Sequence, residues 1–310
     1  MSATTGATSA VASSLTWKGL QEAATSLGAQ AAQVDPGSLA ELAADVDRAA
    51  SVQGAVVVTI GPDAARAVTA AAAAHPQTQF LSLDAALPGG SPANLHTVVF
   101  DRAEAAYLAA FVAAAFSASG KVGLVADAVG DATSAAYVAG FGSGAPLGRV
   151  GAAATIAYAG SSDSPESGRT AAAELVKSGA DVVAAPVDLS GIGAMREACA
   201  RKAGVVALAA DAWNEVPDVR PCLVASVLER YDVAIEDILA LVASGRPFPA
   251  LTVEDVSTGG LAVSDLHSPA PAGFEPRLTA VLAAMRDNPL RATAPPPSAP
   301  AGSTAPVPSA

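Results

Sequence analysis

Acidic residues in this chain recur at one kind of position. Asp84 follows the run QFLSL, Asp101 follows TVVF, Asp127 follows KVGLVA, Asp188 closely follows VVAAP and Asp211 follows VVALAA. After TIAYA comes the turn-like stretch of residues 160–163, GSSD. The preceding runs are short, aliphatic and β-branched, as strands are. Carboxylates gathered at strand ends suit the hydroxyls of a sugar or nucleoside, or a cation. Each could also cap the helix that follows, because helix N-termini carry unpaired N–H groups and favour an acid. For Asp101, between TVVF and a helical segment, both roles are open: cap and ligand contact.

No catalytic pattern accompanies these acids. The three histidines, His75, His96 and His267, stand apart from any His, Cys or Glu at metal-ligand spacing. GFGSGA (140–145) lacks the G-x-S-x-G spacing of a nucleophile elbow, and no phosphate-binding G-x-x-x-x-G-K-[ST] occurs. GIGAMR (191–196) has two glycines of a dinucleotide fingerprint but arginine in place of the third. The expectation is a protein with no enzymatic chemistry, metal or cofactor. Cys199 and Cys222 have no metal spacing and read as two buried thiols, with a disulfide left open.

The elements that position these residues are legible as an alternation. Strand-like runs lie at 54–60, 79–83, 97–100, 121–126, 150–157, 180–186, 205–210 and 222–226. Helical spacing covers about 38–50, 62–74, 103–118, 131–141, 166–178, 191–203 and 228–244, and places Trp17, Leu20, Ala24 and Leu27 on one face. Many strands are apolar at consecutive positions, as in sheets covered by helices on both faces. The class is therefore α/β with parallel sheets. Ligands of such sheets bind outside the carboxyl ends of the strands.

A length of 310 residues fits two domains. The net charge of −12, from 29 acidic and 17 basic residues, disfavours a nucleic-acid partner. The longest uncharged apolar run, residues 105–116, is 12 residues, short of the roughly 18–20 of a membrane span. The opening MSATTGATSAVASSL has no basic start, apolar core or cysteine, so it does not read as a secretory signal or lipid-attachment site. The first 13 residues are small and polar and read as flexible. The end, ATAPPPSAPAGSTAPVPSA (292–310), has six prolines and no charge and reads as a disordered tail.

Several of these stretches, taken in order, resemble the basic membrane protein family. These are substrate-binding lipoproteins that include purine-nucleoside receptors of bacterial ABC importers. DRAEAAYLAAFVAAAFSASGKVGLVAD is similar to the family's "eg-YLAG-AA-KVG-V", and HPQTQFLSLDA to its "P-T-F-ID" strand. GFGSGA resembles "GF-aG". The long stretch from YAGSSDSPESGRT through GADVVAAPVDLSGIGAMREA resembles the family's "GSF-D" to "G-G---aA" block. VVALAADAWNEVP resembles "-aIGvD-dq", LVASVLERYDVAIEDIL resembles "-SalK--d-Av---i", and TGGLAVSDL resembles the closing "G---Gl" strand. The resemblance spans about residues 15–285.

It implies the type I periplasmic-binding fold: two Rossmann-like lobes joined by a hinge. Lobe 1 would take residues 14–100 and 226–290, lobe 2 residues 101–225, with 1–13 and 291–310 as flexible ends. The implied function is capture of a small polar ligand, a nucleoside among the candidates, between two lobes for an ABC permease. Carried over, Asp211 matches the aspartate of "GvD" that bonds ribose hydroxyls. Asp101 supplies a polar contact from the lobe 2 helix. Asp188 and Gly191 lie in the glycine loop, and Gly160 and Ser161 match the "GS" turn. The chain departs from the pattern in three places. The "D---FN" loop that holds the purine has no counterpart before TWKGLQEAATSLGA, the stacking aromatic of "GSF" is Ser162, and the lysine of "SalK" is Glu229. Glu229 buried beside Asp211 would set like charges together. Trp17 and Trp213 are the aromatics available to replace the stack; Trp17 reads equally as core packing and Trp213 as surface packing. The resemblance places the protein outside the cytoplasm, at the membrane. The departures and the unexceptional N-terminus leave an alternative: a divergent cytoplasmic regulatory or interaction module with an altered pocket.

Overall fold

The computed structural model describes residues 2–5, 10–34, 38–85, 92–246, 249–288 and 305–306. In chain order the elements begin with β1 (Ser2–Thr5), α1 (Ala10–Ser26), β2 (Ala32–Val34), α2 (Leu39–Ala50), β3 (Val56–Ile60), α3 (Ala65–Ala74), β4 (Gln79–Leu83) and β5 (Leu95–Phe100). Next come α4 (Arg102–Phe116), β6 (Lys121–Ala126), α5 (Ala132–Gly148), β7 (Ala153–Tyr158), α6 (Pro165–Lys177), β8 (Val182–Pro186), α7 (Leu189–Ala200), β9 (Gly204–Ala209) and α8 (Ala212–Glu215). The last are β10 (Leu223–Glu229), α9 (Tyr231–Ala243), β11 (Leu251–Glu254), β12 (Leu261–Val263), α10 (Phe274–Asp287) and β13 (Ala305–Pro306). Contacts divide them into two units. The first holds the residues up to Phe100 with Arg230–Glu254; the second holds Asp101–Glu229 with those from Asp255 on.

The first unit's sheet has the order β11-β5-β4-β3-β1-β2, with every pair parallel. β3 is buried at all five positions, as expected of a strand covered on both faces. Leu42 and Val46 of α2, Val68 of α3, Phe80 of β4 and Leu95 of β5 form a core around Val57. Residues read as loose from their polarity take part here: Ser2–Thr5 pairs with both β2 and β3, and α1 begins at Ala10. Ser-Ala-Thr-Thr offers no large apolar side chain, so backbone pairing rather than hydrophobicity makes it a strand. The other end, 292–310, lies outside the described residues except Ala305–Pro306, which runs antiparallel to β7.

The second unit's sheet has the order β12-β10-β9-β8-β6-β7-β13, parallel from β10 to β7. α4 is its central helix. Ala105, Leu108, Ala109 and Val112 are fully buried, so the uncharged run at 105–116 is a core helix. Among the described residues no helix is long and apolar enough to cross a membrane. α5 lies directly on α4. A Cβ at Gly140, Gly144 or Gly148 would stand 1.8, 2.1 or 2.2 Å from the carbonyl oxygen of Ala103, Tyr107 or Phe111. That backbone-to-backbone contact explains why α5 runs to Gly148 rather than stopping near 141. Packing offsets glycine's helix penalty of about 1 kcal/mol per residue. β7 starts at Ala153 rather than 150, because Gly151 takes a left-handed turn (φ 76°) and leaves Val150 exposed.

The resemblance assigns residues 226–290 to lobe 1, but β10 continues to Glu229 in the second unit's sheet. β12 pairs antiparallel with β10 (Val227 with Val263), and Phe274 of α10 stacks 5.7 Å from Phe111 and sits edge-on 5.1 Å from Phe116. Aromatic burial thus holds α10 on α4.

Candidate functional site

Parallel strands bring the carboxyl ends of β6, β7, β8 and β9 to one rim of the second unit. There the chain turns from each strand into a helix capped by a side chain. Asp131 caps α5 by accepting the Ser134 N–H at 2.7 Å, and Ser164 caps α6 by accepting the Ser167 N–H at 3.2 Å. Asp188 caps α7 by accepting the Gly191 N–H at 2.7 Å. Such caps stabilise a helix by about 1 kcal/mol each. Gly191 is required at its place, since a Cβ there would stand 1.7 Å from the Pro186 carbonyl oxygen.

These turns are stitched together by serines. Ser134 Oγ accepts the N–H groups of Asp127 (3.1 Å) and Ala128 (3.2 Å). The fully buried Ser190 hydroxyl lies 3.1 Å from Asp127 Oδ1 and 3.0 Å from Asp188 Oδ1, and its N–H donates to the Ser162 carbonyl at 2.9 Å. Gly160, at φ 86°, donates its N–H to the Asp127 carbonyl, and the Ser161 hydroxyl accepts the Asp163 N–H at 3.0 Å. The structure therefore gathers Gly160, Ser161, Asp188 and Gly191 with Asp127. Ser190 and Ser134 escape a reading based on carboxylates; the D-x-S pattern of residues 188–190 is the available signal.

The electrostatics of this rim are one-sided. Burial pushes the Asp188 carboxyl up to about 7, and the Asp127 charge adds to it. Burial also raises Asp127, where the Ser190 hydrogen bond opposes the shift and Asp131 and Asp163 reinforce it. Such a rim offers hydrogen-bond acceptors and negative charge. Among the described residues no group of three or more His, Cys, Asp or Glu side chains is placed to hold a metal ion.

Asp101 sits where the chain enters the second unit. Half-buried, it caps α4 by accepting the Glu104 N–H at 3.0 Å, and burial raises its pKa. The same helical turn also holds the segment where the chain leaves the unit, at Glu229, and the one where it re-enters, at Asp255. Fully buried Glu104 accepts the Val256 N–H at 2.8 Å, and Arg102 lies 3.3 Å from the carboxylate of buried Glu229. The Tyr137 hydroxyl donates to the same Glu229 oxygen at 3.4 Å. Glu229 is thus matched by a cation, which removes the expected conflict of like charges.

Asp211 follows β9 and caps the short α8, accepting the Trp213 N–H at 3.1 Å and the Asn214 side-chain amide at 2.6 Å. The residue two before it, Ala209, has φ 73°, a left-handed conformation that costs a non-glycine residue of order 1 kcal/mol. The half-buried Trp213 ring stacks on His267 at 4.2 Å and 13°, with the Arg220 guanidinium 5.0 Å from its centroid. Trp17 belongs to the first unit, half-buried on α1 beside the buried Leu20 and Ala24.

One expectation is overturned. Cys199, at the end of α7, and Cys222, just before β10, are joined in a disulfide rather than standing as two thiols. They lie 23 positions apart in sequence, and the packing of α7 beside β9 brings them together.

The comparisons with known proteins agree with this architecture. Similar solved structures include a transcriptional activator of the comK gene from Bacillus halodurans, at TM-score 0.80 and 16% identity over 93% of this chain and 97% of that one. An ABC transporter solute-binding protein from Conexibacter woesei gives 0.74 and 19% over 94% and 98%. One from Aeropyrum pernix K1 gives 0.68 and 23% over 93% and 86%. At these identities the likeness shows the fold, the type I periplasmic-binding one. No curated protein matches. The family model described as "ABC transporter substrate-binding protein PnrA-like" matches residues 9–258, so the chain belongs to this Bmp family of ABC-transporter solute-binding proteins, which is not a family of enzymes.

Proposed function

We propose that this protein captures a small, hydroxyl-rich solute, a nucleoside in the first instance, and delivers it to an ABC permease. Membership of a solute-binding family implies a small-molecule ligand and a permease partner. The nucleoside is our own step. It is supported by one observation above others: the second unit's rim presents carboxylates and backbone turns with no cation among the charges acting on Asp127 and Asp188. Acceptors of that kind match ribose hydroxyls and disfavour phosphorylated ligands. In this reading Asp101, Asp188, Gly191, Gly160, Ser161 and Asp211 contact the solute, and Trp213 supplies aromatic surface. The departures at Ser162 and Glu229 predict an affinity weaker than base stacking would give, since stacking on an aromatic contributes about 1–3 kcal/mol.

A thermal-shift screen of nucleosides against sugars and nucleotides tests this. A ligand that binds only the folded state raises apparent stability by RT ln(1 + [L]/Kd). Nucleosides should raise Tm and nucleoside monophosphates should not; no shift with any nucleoside at millimolar concentration would remove the assignment.

The alternative, a cytoplasmic regulatory module, has the Bacillus halodurans activator among its structural neighbours. The disulfide between Cys199 and Cys222 weighs against it, because such bonds persist outside the reducing cytosol. Alkylation of intact cells before lysis, followed by mass spectrometry, separates the two. Cysteines protected from alkylation support export; two alkylated thiols support the cytoplasmic module.

A further inference from the structure

The Ser190 hydroxyl has one hydrogen and faces two carboxylate oxygens, Asp127 Oδ1 at 3.1 Å and Asp188 Oδ1 at 3.0 Å. If both carboxylates are ionised, one of these contacts sets the serine lone pairs against an anion with no hydrogen between them. A single added proton turns both contacts into hydrogen bonds. Asp188 Oδ1 already accepts the Gly191 N–H, which favours the serine hydrogen on Asp188 and the added proton on Asp127. The deeper burial of Asp188 favours the reverse placement. In either case the proton belongs to the pair rather than to one residue.

The surroundings reinforce this. The charges acting on the pair come from Asp131 at the cap of α5 and Asp163 before α6, and both are acidic. Arginines of the flanking helices pair elsewhere: Arg169 of α6 with Glu166 at 3.5 Å, and Arg196 of α7 with Asp218 at 2.6 Å. Asp211, from the end of β9, is held by Trp213 and Asn214.

We propose that Asp127, Ser190 and Asp188 hold one proton between them at neutral pH, and that a hydrogen-bond-donating solute binds this rim in competition with it. The second half rests on the proposed function; the first stands without it. Occupancy of the proton then sets the fraction of protein competent to bind, and the apparent Kd scales inversely with that fraction.

The test uses the full chain with 13C-labelled aspartate carboxyls, followed by NMR from about pH 4 to about pH 9. One carboxyl step near pH 7 is expected, lost in both Asp127→Asn and Asp188→Asn. All carboxyls titrating below about pH 5, or a neutral step that survives both variants, would overturn the shared proton. Calorimetry with adenosine and inosine is the second arm. Binding about tenfold tighter at pH 8 than at pH 6 is expected, and equal affinity would overturn the competition. Failure of both nucleosides to bind would count against the proposed solute, while the NMR result decides the proton.

Discussion

Asp181 and Asp188 flank the same strand, β8, at its two ends, and their environments are opposite. Burial pushes both carboxyls up. At Asp181 the shift is outweighed by hydrogen bonds from the Ser117 hydroxyl and the Ser119 N–H (2.6 Å), so its pKa falls below the ordinary carboxylate value. At Asp188 a second carboxylate adds to burial, and the pKa rises to about 7. The entry end of the sheet is a closed polar knot. Ser117 also accepts the Gly120 N–H at 2.9 Å, Arg149 donates to the Ala118 carbonyl at 2.9 Å, and the disulfide ties the C-terminal end of α7 there. The exit end carries acceptors in excess of donors. Unmatched buried charge is a cost, and under the proposed function the solute's donors would offset it at the exit end.

Mutations test that contrast. The largest loss is expected from opening the disulfide. Cys199→Ser with Cys222→Ser should cost about 3 kcal/mol, from the chain entropy of a loop of this length, read as a lower denaturation midpoint. A loss that nearly vanishes would mean that packing on α6, β8 and β9 holds α7 without it. Gly191→Ala should cost about 2–3 kcal/mol, since its Cβ would overlap the Pro186 carbonyl and the cap must shift. Its midpoint should fall well below that of an exposed Gly→Ala control.

The two aspartates should then differ in sign. Asp181→Ala should cost about 1–2 kcal/mol at neutral pH, by removing the acceptor of the buried Ser117 hydroxyl and of the exposed Ser119 N–H. Because its folded-state pKa is depressed, that stability is present above the ordinary carboxylate pKa and disappears as pH falls through the lowered value. Asp188→Asn should instead stabilise by about 1–2 kcal/mol at pH 8 and change little at pH 5. The fold keeps the proton shared with Asp127 while the unfolded chain ionises, so wild-type stability declines as pH rises from about 4 to about 7 and is level above. Urea midpoints across that range should show a slope in the wild type and a flatter line in the variant; parallel lines would refute the contrast. The smallest effect on stability, within about 1 kcal/mol, is expected for Asp211→Ala, a cap on a helix of four residues. Under the proposed function its effect falls on nucleoside affinity instead, and unchanged affinity would remove Asp211 from the solute site.

Much of the fold was legible because its strands are written in apolar runs. QFLSL and KVGLVA coincide with β4 and β6 residue for residue. The polar β1 and the glycine-rich second half of α5 were not legible. Their stability comes from neighbours: the flanking strands β2 and β3 for one, the α4 carbonyls for the other. At the site, Asp101, Asp188 and Asp211 were recognisable by their place after strands, and each does cap a helix. Their partners were not recognisable, because Ser190 meets Asp127 across 63 positions and Arg102 meets Glu229 across more than a hundred.

Alone, the sequence determined the alternation of strand and helix, the family, and the recurrence of acids after strands, since all three depend on residue types and their order along the chain. The tertiary structure decided which carboxylates share a serine, which cation answers Glu229 and whether the two cysteines meet. Those depend on distances of a few ångströms between segments that only packing brings together, and electrostatics and covalent bonding are steep functions of such distances.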